Sequence, residues 1–274
     1  AWHRVLRSYP AYLVCLLLCV LALGACFTTW PLADYFLAPE TREHLRHNLM
    51  PTSFVWTLPG VFESNPYPGV VNGSLWSLGL EVRWYFWLGL LLALGMVRRR
   101  RAFTVVVGAW LLHAAWQSIQ GVPDPLGYRA LAQTFLLAAL AAQWGRYLRP
   151  SHPWAMTALV LLWLARAGDW IALAMPLVAV LYTLWVAYRL PRLRWPGNRD
   201  YSYGILLYGF PVQQAVMATW PSLSPTALCV VSTVLVLPLA LASWHLVERP
   251  ALRWGTSRRP VRQATIRAAG TEGG

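Results

Sequence analysis

The sequence predicts an all-α fold: a polytopic integral-membrane helical bundle of about eight transmembrane helices, with both termini on the inner side. Three observations carry that expectation. Of the 274 residues, 57% are hydrophobic and only 12% charged, about half the charged share of an ordinary soluble domain. The apolar residues gather in runs long enough to cross roughly 30 Å of hydrocarbon. The arginines lie between those runs and do not form one face. Mean hydropathy is +0.44, and the 17 Trp and 12 Tyr suit rings that settle where membrane meets water.

The runs occupy residues 10–30, 75–97, 102–120, 127–146, 154–169, 170–188, 202–220 and 226–247. The first resembles a signal peptide in its core, but further spans follow and no soluble domain does, so it reads as a true span. The fifth and sixth are separated only by "RAGDW" at 166–170. Pro176, Pro211 and Pro238 lie inside runs, where a membrane bundle tolerates the bends they cause if neighbours satisfy the freed carbonyls. The spans use nearly the whole length, which implies one transmembrane domain over 1–254. Residues 255–274 show no apolar period and read as a disordered cytoplasmic tail.

Orientation follows from the basic residues, all of which are arginine. With the N-terminus inside, eighteen of the 23 fall on inner segments: Arg4 and Arg7, the "RRRR" at 98–101, Arg146 and Arg149, four from Arg189 to Arg199, and six from Arg249 to Arg267. That asymmetry is the positive-inside pattern. It also explains the net charge of +13 without a nucleic-acid footprint, which needs a basic face. The absence of lysine, beside abundant Ala, Leu, Gly, Pro and Trp, fits a coding bias better than a preference for phosphate recognition. Cys15, Cys19, Cys26 and Cys229 all sit in apolar runs and read as packing residues, and no metal-ligand spacing is present.

The outer connection, about 31–74, holds six prolines, the acids Asp34, Glu40, Glu43 and Glu63, and apolar patches such as "SFVWTLPGVF". It is expected to fold back onto the membrane face. There is no Walker A, GxGxxG or GxSxG pattern, so the familiar soluble nucleotide-binding and hydrolase sites are excluded. Asn72-Gly73-Ser74 matches a glycosylation sequon, a weak signal this close to a membrane.

The chemistry gathers in two stretches. "NGSLWSLGLEVRWYFWLGLLLALG" (72–95) runs from a polar loop into the second span and carries Glu81 and Arg83 just inside it. A carboxylate at that depth is costly and functional by default. Helical spacing puts Ser77, Glu81, Trp84 and Tyr85 on one face, with Ser74 in the turn above, whereas Arg83 projects away. Such a carboxylate can serve as general acid/base or orienting group, or form a structural ion pair with another span. The second stretch, "NRDYSYGILLYGFPVQQAV" (198–216), brings Tyr201, Tyr203, Tyr208, Gln213 and Gln214 into the bundle around Pro211, with Asp200 placed to cap the helix. These residues read either as a substrate path or as polar glue between helices. His113 and His245 could shuttle protons, although a lone buried histidine more often packs and hydrogen-bonds.

"NGSLWSLGLEVRWYF" closely resembles the N-G-x-L-W-S-L-x-x-E motif of the membrane acyltransferase 3 family, the bacterial O-acyltransferases of glycans and lipids. Three more segments resemble the family's in the same order: "HRVLRSYPAYLV" (3–14), "DYSYGILLYGFPVQQ" (200–214) and "HLVERPALRW" (245–254). The resemblance implies acyl transfer, most often of acetyl, from an acyl-CoA co-substrate on the inner side to a hydroxyl of an extracytoplasmic or lipid-linked glycan. It implies a multi-pass protein of the bacterial inner membrane with no bound cofactor, metal or nucleic acid. Glu81 is then the expected catalytic carboxylate or positions the acceptor. Asn72, Ser74, Trp76, Ser77, Tyr85, Tyr203, Tyr208, Gln213 and Gln214 are expected at the substrate, and Arg4 and Arg7 at the CoA phosphates. The family has ten spans, so the chain is expected to be an N-terminally truncated member lacking the first two and the catalytic histidine they carry, a role neither His3 nor His113 inherits. Two rival readings remain, a transporter or polysaccharide-export component and a non-catalytic paralogue. No internal repeat supports the transporter.

Overall fold

The structure, a computed structural model, describes residues 2–50, 54–124, 127–145, 152–165, 171–189 and 200–257. Each expected apolar run forms a helix. Trp2–Leu18 continues through a π-helical turn, Cys19–Gly24, into Ala25–Phe27. Then come Trp76–Ala93, Arg100–Ile119, Tyr128–Trp144, His152–Ala165, Ile171–Arg189 and Ser202–Thr219. Pro225–Ser243 continues through a second π turn, Trp244–Glu248, into Arg249–Ser257. Among the described residues there is no named strand, only the isolated bridges Thr28 to Val61 and Thr57 to Val70. Three segments are long and apolar enough to cross a membrane: Leu6–Phe27, Arg100–Ile119 and Pro225–Trp254. Many of their exposed residues are large and apolar, as at Leu21, Val105, Leu112, Val230 and Val234, which suits contact with lipid. The chain has the helices of a membrane protein.

Two details differ from expectation at the C-terminal end and among the cysteines. The last helix runs to Ser257, past the expected start of the tail at 255, because its strongly amphipathic sequence sustains a helix beyond the apolar run. Cys15 and Cys19 are buried, but Cys26 and Cys229 are exposed, so only the first pair packs a protein core. The "RAGDW" turn, Arg146, Arg149, Arg192, Arg194, Arg199 and most of the tail lie outside the described residues, as does the side chain of Arg4.

The chain divides into two compact units, Ala1–Gly79 with Pro196–Gly274, and Leu80–Trp195. In the first, the 31–74 loop packs against the helices. It carries the helices Leu32–Leu37 and Pro39–Asn48, and its Tyr35, Leu58, Val61, Phe62 and Val71 share one core with Tyr12, Cys15, Val20, Leu207 and Tyr208. Tyr35, fully buried, donates its hydroxyl to the Val20 carbonyl at 2.9 Å, inside the π turn where the regular ladder is disturbed. Burial pushes this phenol up to about 12, so it stays a donor. Where Ser202–Thr219 meets Pro225–Ser243, a Cβ on Gly204 would lie 2.8 Å from the Ala240 Cα. Glycine here permits the close helix approach common in membranes.

The second unit is built on stacked rings. Phe103, Val107 and Leu136 form its buried centre, flanked by Trp84, Leu88, Trp110 and Phe135. Trp84 meets Trp110 edge-on at 5.3 Å between centroids, a favoured aromatic geometry. At its turn after Arg100–Ile119, Arg129 donates to the carbonyls of Val122 and Pro123 at 2.7 and 3.2 Å and to Ser118 Oγ at 3.2 Å. Asp124 Oδ2 accepts from the backbone amides of Arg129 and Ala130 at 2.9 and 3.4 Å. An arginine that the topology left unassigned thus ties down the turn itself, since the carbonyls of Trp116, Gln117 and Ser118 in the last helical turn already accept from the amides of Gln120, Val122 and Gly121.

Candidate active site

A proline joins the two chemistry-bearing stretches of the first unit. In a regular helix the Leu207 carbonyl would accept from the amide of residue 211, but Pro211 has no N–H to give. Asn72 supplies the missing donor: its Nδ2 reaches Leu207 O at 3.0 Å, joined by Cys15 Sγ at 3.4 Å. The same Asn72 caps the 3-10 turn Gly73–Leu75, its Oδ1 accepting from Ser74 N at 3.3 Å and Ser74 Oγ at 2.7 Å. The Ser74 hydroxyl also lies 2.9 Å from the Leu206 carbonyl, and Ser77 Oγ lies 3.3 Å from Ser74 O. Between the two stretches Gly73 is required by space, since a Cβ there would sit 2.8 Å from the Phe210 ring. The motif "NGS" and the motif "LLYGFP" therefore satisfy each other.

Gln214 makes a second such clamp one turn on. Fully buried, its Nε2 donates to the carbonyls of Tyr67 and Val70 at 2.8 and 2.6 Å, and its Oε1 and backbone oxygen accept from Asn65 Nδ2 at 3.1 and 2.9 Å. Gln213 is exposed. The loop so held includes Phe62, buried at φ 58, a left-handed position that a non-glycine residue occupies only where its surroundings enforce it.

At the other end of these helices Arg7 pairs with Asp200 at 2.5 Å. Asp200 also accepts from the Ser202 amide at 3.1 Å and hydroxyl at 2.6 Å. The Ser202 hydroxyl, then Arg7, hold this carboxyl below its usual range against the opposing effect of burial. Tyr203 donates to the Ser8 carbonyl at 3.0 Å. Tyr208 is buried, as is Glu248, in the second π turn. Glu248 Oε1 accepts from Ser243 Oγ at 3.0 Å, while Oε2 has no partner among the described residues.

In the second unit, Glu81 accepts a hydrogen bond from the Tyr85 hydroxyl one turn along the helix, and Tyr85 meets the Phe135 ring at 5.9 Å. Glu81 is half-buried and Arg83 exposed, which agrees with the opposite projections expected from spacing. Trp76 and Ser77 start the helix that Glu81 and Tyr85 continue, both half-buried. His113 and His245 are exposed.

Three polar residues escaped the reading from sequence: Asn65, Glu248 and His44. Asn65 hid in a Pro-rich loop, and Glu248 stood in a recognised segment without being singled out. His44 lay in the charge-rich "PETREHLRHN", which looks like a solvated helix. The signal was there, however: Thr41, His44 and Asn48, spaced i, i+3 and i+7, are the buried residues of Pro39–Asn48, so the uncharged polar residues face inward and the charges outward. His44 Nδ1 lies 3.0 Å from the Thr57 carbonyl. Burial pulls its imidazole below the usual 6.5, against that bond, which favours the charged form. The residue lines a cavity of about 10 Å³ with Tyr12, Cys15, Asn48, Trp56 and Asn72. Among the described residues no group of three or more His, Cys, Asp or Glu is placed to hold a metal.

No protein-family model matches the chain, and no solved structure matches it. A protein of Shigella phage Sf6 named O-acetyl transferase is 27% identical over 261 residues, which cover 90% of this chain and 74% of that protein.

Proposed function

We propose that the chain is a membrane-embedded O-acetyltransferase. The observation that carries this reading is the likeness to the phage O-acetyl transferase, which extends over 90% of the chain and therefore takes in both clamped stretches, not one local motif. It supports a transferase of acyl groups, and the apolar helices support a membrane setting. The donor in this reading is an acyl-CoA, most simply acetyl-CoA, and the acceptor a hydroxyl of an extracytoplasmic or lipid-linked glycan. The chain would cross a bacterial inner membrane eight times with both ends inside.

Transfer of an acetyl group from a thioester requires an acceptor oxygen stripped of its proton and a carbonyl held for attack. Glu81, with Tyr85 donating to it, is the candidate catalytic carboxylate. The phenol keeps the carboxylate oriented, and the charge is costly at that depth unless it is used. Arg7, already holding one carboxylate, and Arg4 are candidates for the CoA phosphates. Gln214 and Asn72, with their polar atoms committed to backbone partners, would act by fixing the loop and not by touching substrate.

The test is expression of the chain in a bacterial host, followed by mass spectrometry of surface glycans before and after mild alkali. A base-labile acetyl increment that depends on the chain is the expected result. Glycans indistinguishable from the empty-vector host, with the protein present in the membrane, would remove the proposal.

A further inference from the structure

The two helices that meet at Gly204 and Ala240 also wall a groove toward the other end of their contact. Its volume is about 420 Å³, within the roughly 300–1,000 Å³ of ordinary ligand sites. Val212, Ala215 and Val216 line it from Ser202–Thr219, Leu235 and Leu239 from Pro225–Ser243, and Leu23 from the π turn Cys19–Gly24. Each of the two long helices carries a proline at this level, Pro211 and Pro238, and proline bends a helix from its straight course. From Val212 to Thr219 the wall runs about 10 Å along the helix axis.

The lining decides the chemistry. The Thr219 hydroxyl is taken up by the Ala215 carbonyl at 2.8 Å. Apart from Trp220, exposed at the end of the groove, no lining side chain has a hydrogen bond left to donate. Such a furrow suits hydrocarbon and neither sugar nor phosphate.

Two observations favour the tail of an acceptor over that of a bulk membrane lipid. Bulk lipid needs no recess: it covers exposed faces such as Val230 and Val234 equally well, since hydrocarbon gains little by leaving other hydrocarbon. The groove also ends near the clamped loop. Gln214, which holds the Tyr67 and Val70 carbonyls, lies five residues before Thr219, about 7.5 Å of helix rise. A head group at Thr219 and Trp220, whose ring suits the boundary of membrane and water, is thus within two helical turns of that loop.

We propose that this groove holds the hydrocarbon tail of the acceptor, so that the acceptor is a lipid-linked glycan and not a free one. This rests on the O-acetyltransferase reading and its orientation, in which Thr219 and Trp220 face the outer side. The groove orients the tail, and the glycan extends from its outer end.

The test uses membranes carrying the full chain, labelled acetyl-CoA, and two acceptors: the host's lipid-linked glycan and the same glycan freed from its lipid by mild acid. Ala215→Phe fills the groove from one wall and Leu239→Trp from the other, so the second serves if the first fails to reach the membrane. Either should raise KM for the lipid-linked glycan about tenfold at unchanged kcat, because the tail loses the contacts of one wall. A rise below threefold, or an equal fall in kcat, overturns the proposal. So does a wild-type chain that acetylates only the freed glycan. If wild type acetylates neither, the functional reading fails, and photolabelling in phosphatidylethanolamine vesicles decides separately. A polyprenyl phosphate with a diazirine in its tail should label peptides within 212–220 or 235–239 in wild type and not in Ala215→Phe. No label there, or equal label from a diazirine phosphatidylcholine, overturns the site.

Discussion

The two units solve one problem, packing apolar helices together, by different means. The second relies on rings: Trp84, Trp110, Phe135 and Tyr85 interlock around Phe103 and Leu136, and the Glu81–Tyr85 bond is a polar feature of its opening helix. The first relies on polar clamps. Asn72, Gln214, Asn65, Asn48 and His44 are all buried, and each is bonded to backbone carbonyls or amides. Aromatic stacking tolerates many sequences of similar volume, whereas a buried amide must find its partner or cost its full desolvation. The first unit is therefore the more exactingly specified of the two.

The largest stability effect expected from this contrast is at Gln214. Gln214→Leu strands the Tyr67 and Val70 carbonyls, while Asn65 Nδ2 keeps the backbone oxygen of residue 214, and should lower stability by about 3 kcal/mol, since each stranded buried group costs about 1–3 kcal/mol. Denaturation in detergent micelles measures it. The matching apolar swap in the second unit, Trp84→Leu, removes ring contacts only and should cost about half as much. A larger cost for Trp84→Leu than for Gln214→Leu would break the comparison.

A sharper probe is the link between Asn72 and Pro211. Asn72→Leu should cost about 2 kcal/mol by leaving Leu207 O with only the weak Cys15 thiol donor and the 3-10 turn uncapped. In a Pro211→Ala background that carbonyl regains a helical N–H, so the same substitution should cost about 1 kcal/mol less. Strict additivity in this double-mutant cycle would contradict the clamp.

Acidification should act on the first unit through two groups of unequal weight. His44 has its folded value lowered by burial, so its contribution is full above 6.5, its unfolded value, and declines as pH falls toward the folded value. His44→Asn should flatten that part of the stability profile. Asp200, also lowered, contributes above the ordinary carboxylate range and is lost as pH falls through its folded value. Its pair with Arg7 is partly exposed and screened by solvent, so Asp200→Asn should have the smallest effect of the series.

The helices were legible in sequence because long apolar runs are a strong signal, and each expected run forms a helix among its described residues. That the 31–74 loop carries residues of a buried core was legible from its apolar patches, though its internal helices were not. Two kinds of feature were hidden. The π turns at Cys19–Gly24 and Trp244–Glu248 are announced by no local pattern, and the first meets a long-range bond, from Tyr35 to the Val20 carbonyl. The role of Gln214 was misleading in isolation, because a polar residue in a span reads equally as substrate contact or as clamp until its partners are seen. The motifs around Asn72 and Pro211 were picked out separately, and only the geometry shows that a missing proline N–H couples them. His44 escaped because charge density masked the inward face of its helix.

The central claim, acetyl transfer with Glu81 as its carboxylate, is tested most directly by comparing wild type with Glu81→Gln in the same host. Gln keeps the size and can still meet Tyr85, but it removes the charge. Equal amounts of membrane-inserted protein, with base-labile glycan acetylation in wild type and a loss of about a hundredfold or more in the variant, are the result expected if Glu81 takes part in the transfer. Acetylation by Glu81→Gln at the wild-type level would contradict it.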